Sequence, residues 1–331
     1  MESKEHSGSS GKLNLILSKY GILLGLFVII IIAGIVNPAF LTVSNILNIF
    51  KQVSATGMLA LGMTFVIISG GVDLAVGSIM SVAGVITVSL MPALGVPLAI
   101  GAGLLSAIIL GGLNGLFITL TGGTMGSSFI ISFGMQTAIA SLALTITDGA
   151  IRHADKFPEY KVIGQGSIGV IPIAALIFIV GIVITQFVLR KTRFGRITYC
   201  LGINDTATKL SGIKVKPYRV MIYVISGFFA AVGAVMLCSR VVSASPTQGS
   251  GYELDAIAAT VLGGTRMGGG YGSAIKTLLG VIMFGVMANA LNVLGVSAYP
   301  QLIVKGAIII IAVLLDKRSA RVENEMLARE S

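Results

Sequence analysis

The sequence predicts an all-α integral membrane protein of about ten transmembrane helices, built as an inverted repeat of two halves. Three observations predict it. The 331 residues are 55% hydrophobic and only 11% charged, where soluble domains carry roughly 25% charged residues, and mean hydropathy is +0.96. Apolar runs close to the length needed to cross a hydrocarbon core recur along the chain, separated by polar breaks. Two acid-bearing segments, Gly71-Val72-Asp73-Leu74 and Gly251-Tyr252-Glu253-Leu254, echo each other about 180 residues apart, and Asn114-Gly115-Leu116 echoes Asn289-Ala290-Leu291 downstream. Counting crossings puts the first acid near one side of the membrane and the second near the other, as an inverted repeat requires.

Taken in order, residues 1–19 form a polar tail whose composition favours disorder. The run Tyr20 to Val36 reads as an uncleaved first span, since no small-residue cleavage site follows it. Residues 41–52 are a semi-polar lead-in to a second span, Val53 to Ser69. The break Gly70 to Ser78 follows, then a third span from Ile79 to Met91, ended by Pro92 and Pro97. A fourth span runs from Leu98 to Thr121, with Gly111, Gly112 and Gly115 as a close-packing face. A fifth covers Phe129 to Thr147. Asp148 to Ser167 is a polar loop with little periodicity. Span six is Ile168 to Leu189 and span seven Val220 to Val242. The eighth apolar stretch, Ala256 to Leu262, is too short to cross a core of about 30 Å at about 1.5 Å per residue. It either recruits residues from Tyr252 onward or is a broken element inside the protein. A second glycine-rich break, Gly263 to Gly272, leads to spans nine (Ser273 to Leu294) and ten (Tyr299 to Leu315). Residues 316–331 form a second tail, and both tails are expected on the cytoplasmic side. The domain plan is therefore a membrane domain over 20–315 between two polar tails.

Composition excludes several function classes. The net charge of +10 is carried by loops, and no basic patch alternates with aromatics, so nucleic acid is not an expected partner. His6 and His153 are the two histidines, and Cys200 and Cys238 the two cysteines; neither set supports a catalytic cluster, a metal site or a disulfide. The stretch GGGYGSAIK shares only glycines with a phosphate loop, lacking its G-x-x-x-x-G-K-[ST] order. Neither an enzyme nor a bound cofactor is expected. Asp73, Glu253 and Asp255 are the acids placed at membrane depth. They are candidates for function, or simply caps at the starts of broken helices.

The longest charged interruption is Arg190 to Arg219, where Arg190, Lys191, Arg193, Arg196, Lys209, Lys214, Lys216 and Arg219 accompany a single acid, Asp205. Short basic loops stay cytoplasmic, which fixes the orientation. The loop is either a charge anchor against anionic lipid or a docking element. Its middle favours docking: Asn204 or Asp205 can cap a short helix, Gly212 can end it, and Ala207, Leu210 and Ser211 share one side.

TRFGR, LGIN-x-x-A-x-x-LSGI, GYELDAIAA-x-V-x-GGT, N-x-LN-x-LGVS-x-Y-x-Q-x-I-x-KG and GGVDLAVGSIM together resemble the permease subunits of sugar ABC importers of the ribose, galactose and xylose type. The resemblance runs from about Leu41 to Asp316. It implies a ten-helix permease of the bacterial cytoplasmic membrane that pairs with a second copy or with a paralogous permease. It also implies a cytoplasmic ATP-binding subunit and an extracytoplasmic sugar-binding protein as partners. The region matching Arg193 to Ile213 would contact the ATPase, with Arg196, Asn204, Ala207, Ser211 and Gly212 matching the coupling pattern. Ile203, Asp205 and Thr208 depart mildly from that pattern. The fifth span departs more, reading SSFIISFGMQ where relatives carry a proline-containing motif, and Lys276 replaces a usual glycine. These changes suit one half of a heterodimeric pair.

A sugar path needs uncharged polar partners and an apolar gate. Asn114, Gln136, Asn289 and Asn292, with Ser127 and Ser132, are the candidate partners, and Phe129 and Phe133 the candidate gate. The competing role for each polar residue is an ordinary hydrogen bond between helices. The competing function is an ion-coupled secondary transporter, which would want carboxylates in the middles of its spans, where this chain has few.

Overall fold

The computed structural model describes residues 27–28, 30–297, 299–311 and 314. Both predicted tails, 1–19 and 316–331, lie outside these residues, as does most of the first predicted span; residues 30–36 of that span are helical. Among the described residues the chain is all-α apart from two short two-stranded pairings.

A short 3-10 turn, Pro38–Leu41, precedes α1, Val43–Ile68. The sequence reading began this span at Val53, but the helix starts ten residues earlier. No glycine or proline interrupts 43–56, and Thr42 satisfies the first turn by accepting from the Asn45 amide at 3.3 Å. Next come α2 (Val76–Leu94), α3 (Val96–Leu120) and α4 (Met125–Thr147). Pro92 lies inside the last turn of α2 rather than beyond it, and Gly95 turns the chain into α3, whose second residue is Pro97. Then follow β1 (Arg152–His153), α5 (Pro158–Gln165), the hairpin β2 (Ser167–Ile168) and β3 (Ile171–Pro172), and α6 (Ile173–Lys191). The remaining elements are α7 (Arg193–Ile203), α8 (Asp205–Leu210), α9 (Val215–Val241), β4 (Ser243–Ala244), α10 (Tyr252–Leu262), α11 (Ala274–Val293) and the shorter apolar helix α12 (Tyr299–Ile311). Among the described residues, seven helices are long and apolar enough to cross a membrane: α1, α2, α3, α4, α6, α9 and α11. The count of ten expected from the sequence is therefore not reached there. α10 has only 11 residues, and α12 is short.

The chain forms two compact units. One comprises residues up to Ile46 together with those from Ile282; the other is Leu47–Val281. In the first, Asn45 and Asn289 exchange side-chain hydrogen bonds at 2.8 and 3.0 Å, Asn45 also donates to the Phe40 carbonyl, and Gln301 donates to Asn292 Oδ1 at 2.8 Å.

The second unit is organised on the crossing of α3 and α9. Gly103, Ala107, Gly111 and Gly115 recur every four residues and so form one buried stripe on α3. A Cβ added at Gly111 would lie 3.1 Å from the Gly227 Cα of α9, and one added at Gly227 would overlap the Ala107 carbonyl oxygen. Glycine is required on both sides because the two backbones touch. Gly112, read from the sequence as part of this face, is half-buried and meets only the Val224 side chain.

At the end of this unit where α2 meets α3, the segment read from the sequence as an irregular loop holds α5. Pro158 stands in its first turn and Tyr160 and Gly164 are its buried face. Gly164 packs directly on the backbone of α9 at Met236 and Arg240. Tyr160 is fully buried and its hydroxyl donates to the Val235 carbonyl at 3.2 Å. One short turn with two inward residues is too brief for a periodicity to register, which is why the sequence concealed it. Tyr160→Phe should cost about 1 kcal/mol of stability in a detergent melt, the net worth of one buried hydrogen bond with its carbonyl acceptor left behind.

Candidate functional site

Two features stand out within the Leu47–Val281 unit. The first is its basic end. Thr192 ends α6 and starts α7, its hydroxyl accepting from the Gly195 amide at 3.1 Å. Asn204 then interrupts the helix and caps α8, its Oδ1 accepting from the Ala207 amide at 2.9 Å. Ser211 closes α8, and Gly212 turns away in the left-handed region at φ +81°. Of the residues matching the coupling pattern, Arg196 is exposed on α7, while Asn204, Ala207, Ser211 and Gly212 are exposed together around α8. A shallow groove beside α8 is lined by Cys200, Ile203, Asn204, Ala207, Thr208, Ser211 and Ile213. Leu210 projects from the same helix, 85% exposed.

This end is tied to both glycine-rich breaks. The Gly270 amide donates to the Ile68 carbonyl at 2.8 Å, and Gly202 of α7 lies so close to both that a Cβ would overlap them. Tyr199 donates to the Gly272 carbonyl at 2.8 Å. Phe194 stands between Phe65 of α1 and Tyr218 of α9, with ring centroids 6.2 and 6.0 Å away. Within the segment, Asp205 Oδ1 accepts from Arg219 Nη2 at 2.8 Å and its Oδ2 faces Lys209 Nζ at 2.6 Å.

The second feature is a pair of broken elements in the interior. After α1 the chain is non-helical from Ser69 to Ala75, and before α10 from Ser245 to Gly251. The first leg carries the buried acid Asp73, and the second leads into the first turn of α10, which carries the buried Glu253. Asp73 Oδ1 accepts from Asn114 of α3 at 3.0 Å and from the Ala75 amide at 3.1 Å; its Oδ2 accepts from Ser226 of α9 at 2.7 Å. Glu253 accepts from its own loop, through the Gly251 amide at 3.1 Å, and from Gln136 of α4 at 2.9 Å. The starts of α2 and α10 meet: a Cβ at Gly77 would overlap the Glu253 carboxylate, and one at Gly249 would overlap the Gly77 carbonyl. Ser81 of α2 accepts from the Gly249 amide at 2.8 Å, and Ser78 donates to the Gln136 carbonyl at 2.9 Å. Gln136 sits halfway along the 23-residue α4, roughly 16 Å from its start, so this junction lies near mid-depth of a core of about 30 Å. The two helix N-termini, each with a partial positive charge, thus converge with the Glu253 carboxylate between them, while Asp73 lies just before the start of α2.

The structure distributes the predicted path residues unevenly. Phe129 and Phe133 are exposed on α4 and stand one turn apart. Ser128, Ser132, Ile139, Ala143 and Thr147 make the narrow buried stripe of that helix, and Ser127 lies in its capping turn with Thr124. Asn114 and Gln136 hold Asp73 and Glu253. Asn289 and Asn292 belong to the other compact unit, bonded to Asn45 and Gln301. All four amides therefore make hydrogen bonds inside the chain. Sequence reasoning listed Arg219 only among the cations and missed that it is buried; its pairing with the lone acid of the basic stretch was the available signal.

A bundle of long apolar helices around glycine-on-glycine crossings, with broken elements meeting at mid-depth, defines a polytopic membrane protein of the permease type. Residues 45–313 match the family described as branched-chain amino acid transport system / permease component. The chain belongs to that family. It is 44% identical over 311 residues to the ribose import permease protein of Bacillus subtilis (strain 168), covering 92% of this chain and 94% of that one. It is also 35% identical over 303 residues to the D-allose transport system permease protein of Escherichia coli (strain K12), covering 90% and 91%. With the L-arabinose transport system permease protein of the same organism it shares 33% identity over 313 residues, 93% of each chain. No solved structure matches the chain.

Proposed function

We propose that this chain is the membrane subunit of an ATP-driven importer for a monosaccharide, working with a separate cytoplasmic ATP-binding subunit, an extracytoplasmic sugar-binding protein and a second permease, identical or paralogous. The observation that carries the reading is the similarity, over nine-tenths of the chain, to permeases named for ribose, allose and arabinose. The basic end is placed on the cytoplasmic side by its charge, together with both termini. There α8 offers the ATPase an exposed, capped helix with small residues at Ala207 and Ser211 beside an apolar groove. Hydrolysis in the ATPase pair moves α8, and the membrane helices rock as rigid bodies. The two broken elements, the leg with Asp73 before α2 and the leg leading into Glu253 of α10, are the corresponding pieces of two inverted halves.

The path runs along the open face of α4. Phe129 and Phe133 form its apolar gate, while Asn114 and Gln136 exchange their internal bonds for sugar hydroxyls as the helices move. The two carboxylates at depth are both engaged in hydrogen bonds within the chain, which favours the ATP-driven reading over ion coupling. ATP-dependent uptake of ribose, allose and arabinose into vesicles holding the full complex tests it. Uptake that persists without any ATPase subunit rules it out.

The α8 contact has its own expected result. A Cβ at Gly212 meets open space, but its φ of +81° disfavours any side chain. The double variant Ser211→Arg/Gly212→Glu should fold and still be recovered in membranes, because both residues are exposed. It should lower uptake at least tenfold while ATP hydrolysis continues, the scale of a coupling energy of about 1–3 kcal/mol. Normal uptake would show that α8 is not the contact.

A further inference from the structure

We infer that Arg219 is the strut through which movement of α8 reaches the hinge at the start of α4; the inference rests on the reading of α8 as the ATPase contact. The charge pattern first sets Arg219 apart. Of the eight cations between 190 and 219, seven are exposed and Arg219 alone is buried, at 7%. A charge that serves only orientation or lipid headgroups stays in water, so the other seven suffice for that purpose.

Its contacts then define a line of transmission. On one side Nη2 donates to Asp205 Oδ1 at 2.8 Å, and Asp205 is the first residue of α8. On the other side Nη1 donates to the Gly122 carbonyl at 3.3 Å, and the guanidinium occupies the space that a side chain at Gly123 would take. Gly122 and Gly123 are both left-handed, at φ +96° and +66°. With Thr121, which ends α3, they form the turn to the cap of α4 at Thr124, and two adjacent glycines give this joint little intrinsic stiffness. The Arg219 backbone belongs to α9, which is locked against α3 by the glycine crossing. A fixed fulcrum therefore carries a planar fork with one prong on the docking helix and one on the hinge. Asp205 is 29% exposed and shares its second oxygen with Lys209, so a docked partner can reach and bias the pair from outside.

The test uses the complete complex in proteoliposomes, with the sugar among ribose, allose and arabinose that the wild type imports. Arg219→Lys keeps the charge but loses the fork, since one ammonium cannot serve both prongs at once. Sugar imported per ATP hydrolysed should fall about tenfold, inside the range of 5–150-fold that coupling energies span. Co-purification with the ATPase and the hydrolysis rate should stay within about twofold of wild type, as should Lys216→Ala in every readout. A purely structural role would instead lower recovery and leave that ratio unchanged. If Arg219→Lys does not assemble, Gly123→Ala decides from the hinge side, because its methyl group displaces the guanidinium; the same fall in the ratio is expected. An unchanged ratio in an assembled variant overturns the strut. The Ser211→Arg/Gly212→Glu variant, run in parallel, tells the two failures apart. If it uncouples while Arg219→Lys does not, only the strut is wrong. If neither uncouples, the docking role of α8 fails with it.

Discussion

Gly227→Leu is expected to yield no monodisperse protein in detergent, and Gly227→Ala to fold with a stability lower by about 1–3 kcal/mol. At Gly227 even one methyl group meets the Ala107 carbonyl, and the nearest atoms opposite are backbone, including the Gly111 Cα at 3.2 Å. A flexible side chain can yield to an intruding methyl; a helix backbone yields only by moving the whole helix. Separating α3 from α9 also withdraws Gly115 from Tyr223, so the loss extends along the crossing. The control is Gly134→Ala on α4, where a Cβ has nothing within 4 Å and the helix gains about 1 kcal/mol of propensity. Size-exclusion profiles and melting in detergent read the series. Equal stability of Gly227→Ala and Gly134→Ala would refute glycine contact as the basis of the crossing.

Asp73→Ala should be the second most damaging change, lowering stability by about 3–5 kcal/mol. It strands the Asn114 amide, the Ser226 hydroxyl and the Ala75 amide together, each aimed at a carboxylate that water cannot replace in a closed interior. Asp73→Asn should lose less, because its amide oxygen can keep accepting from Asn114 and the Ala75 amide while its NH2 faces Ser226, whose hydroxyl can rotate to accept. The chain has no Trp, but its buried Cys238 supplies a probe. In a Cys200→Ser background, a thiol-reactive dye reports unfolding through Cys238 alone. The order wild type, Asn, Ala in decreasing melting temperature is the expected result, and an Ala variant as stable as wild type would contradict it.

How far the sequence revealed this depends on the range of the interactions. Hydropathy exposes a span because every residue in it contributes, so seven spans were visible in nearly their right places. It fails at boundaries such as 43–52, where Asn45 and its polar neighbours look like a loop until their partners are known. The echo of Asp73 and Glu253 was legible because a break, an acid and a helix start recur together. The downstream echo of Asn114 and Asn289 had a different outcome: one binds Asp73 and the other Asn45. The cap at Asn204 was legible because its target lies three residues away. The pairing of Gln136 with Glu253 spans 117 positions, and no local pattern encodes it. Arg219 is one of four arginines in the stretch, chemically the same as Arg190, Arg193 and Arg196, and burial alone distinguishes it.

The meeting of α2 and α10 at mid-depth also constrains how the chain is made. Peptide groups without partners in lipid cost several kcal/mol each, and both legs leading to these helices are non-helical. α10, with 11 residues, cannot halt in a bilayer unaided. The start of α2 emerges from the ribosome some 170 residues before the Gly249 and Glu253 that close against it. During synthesis, then, the first half waits with an open seam that lipid cannot fill. The bundle closes only when the last third of the polypeptide arrives. A chain truncated before residue 245 should consequently be a substrate for membrane quality-control proteases, even though six of its long apolar helices are already complete.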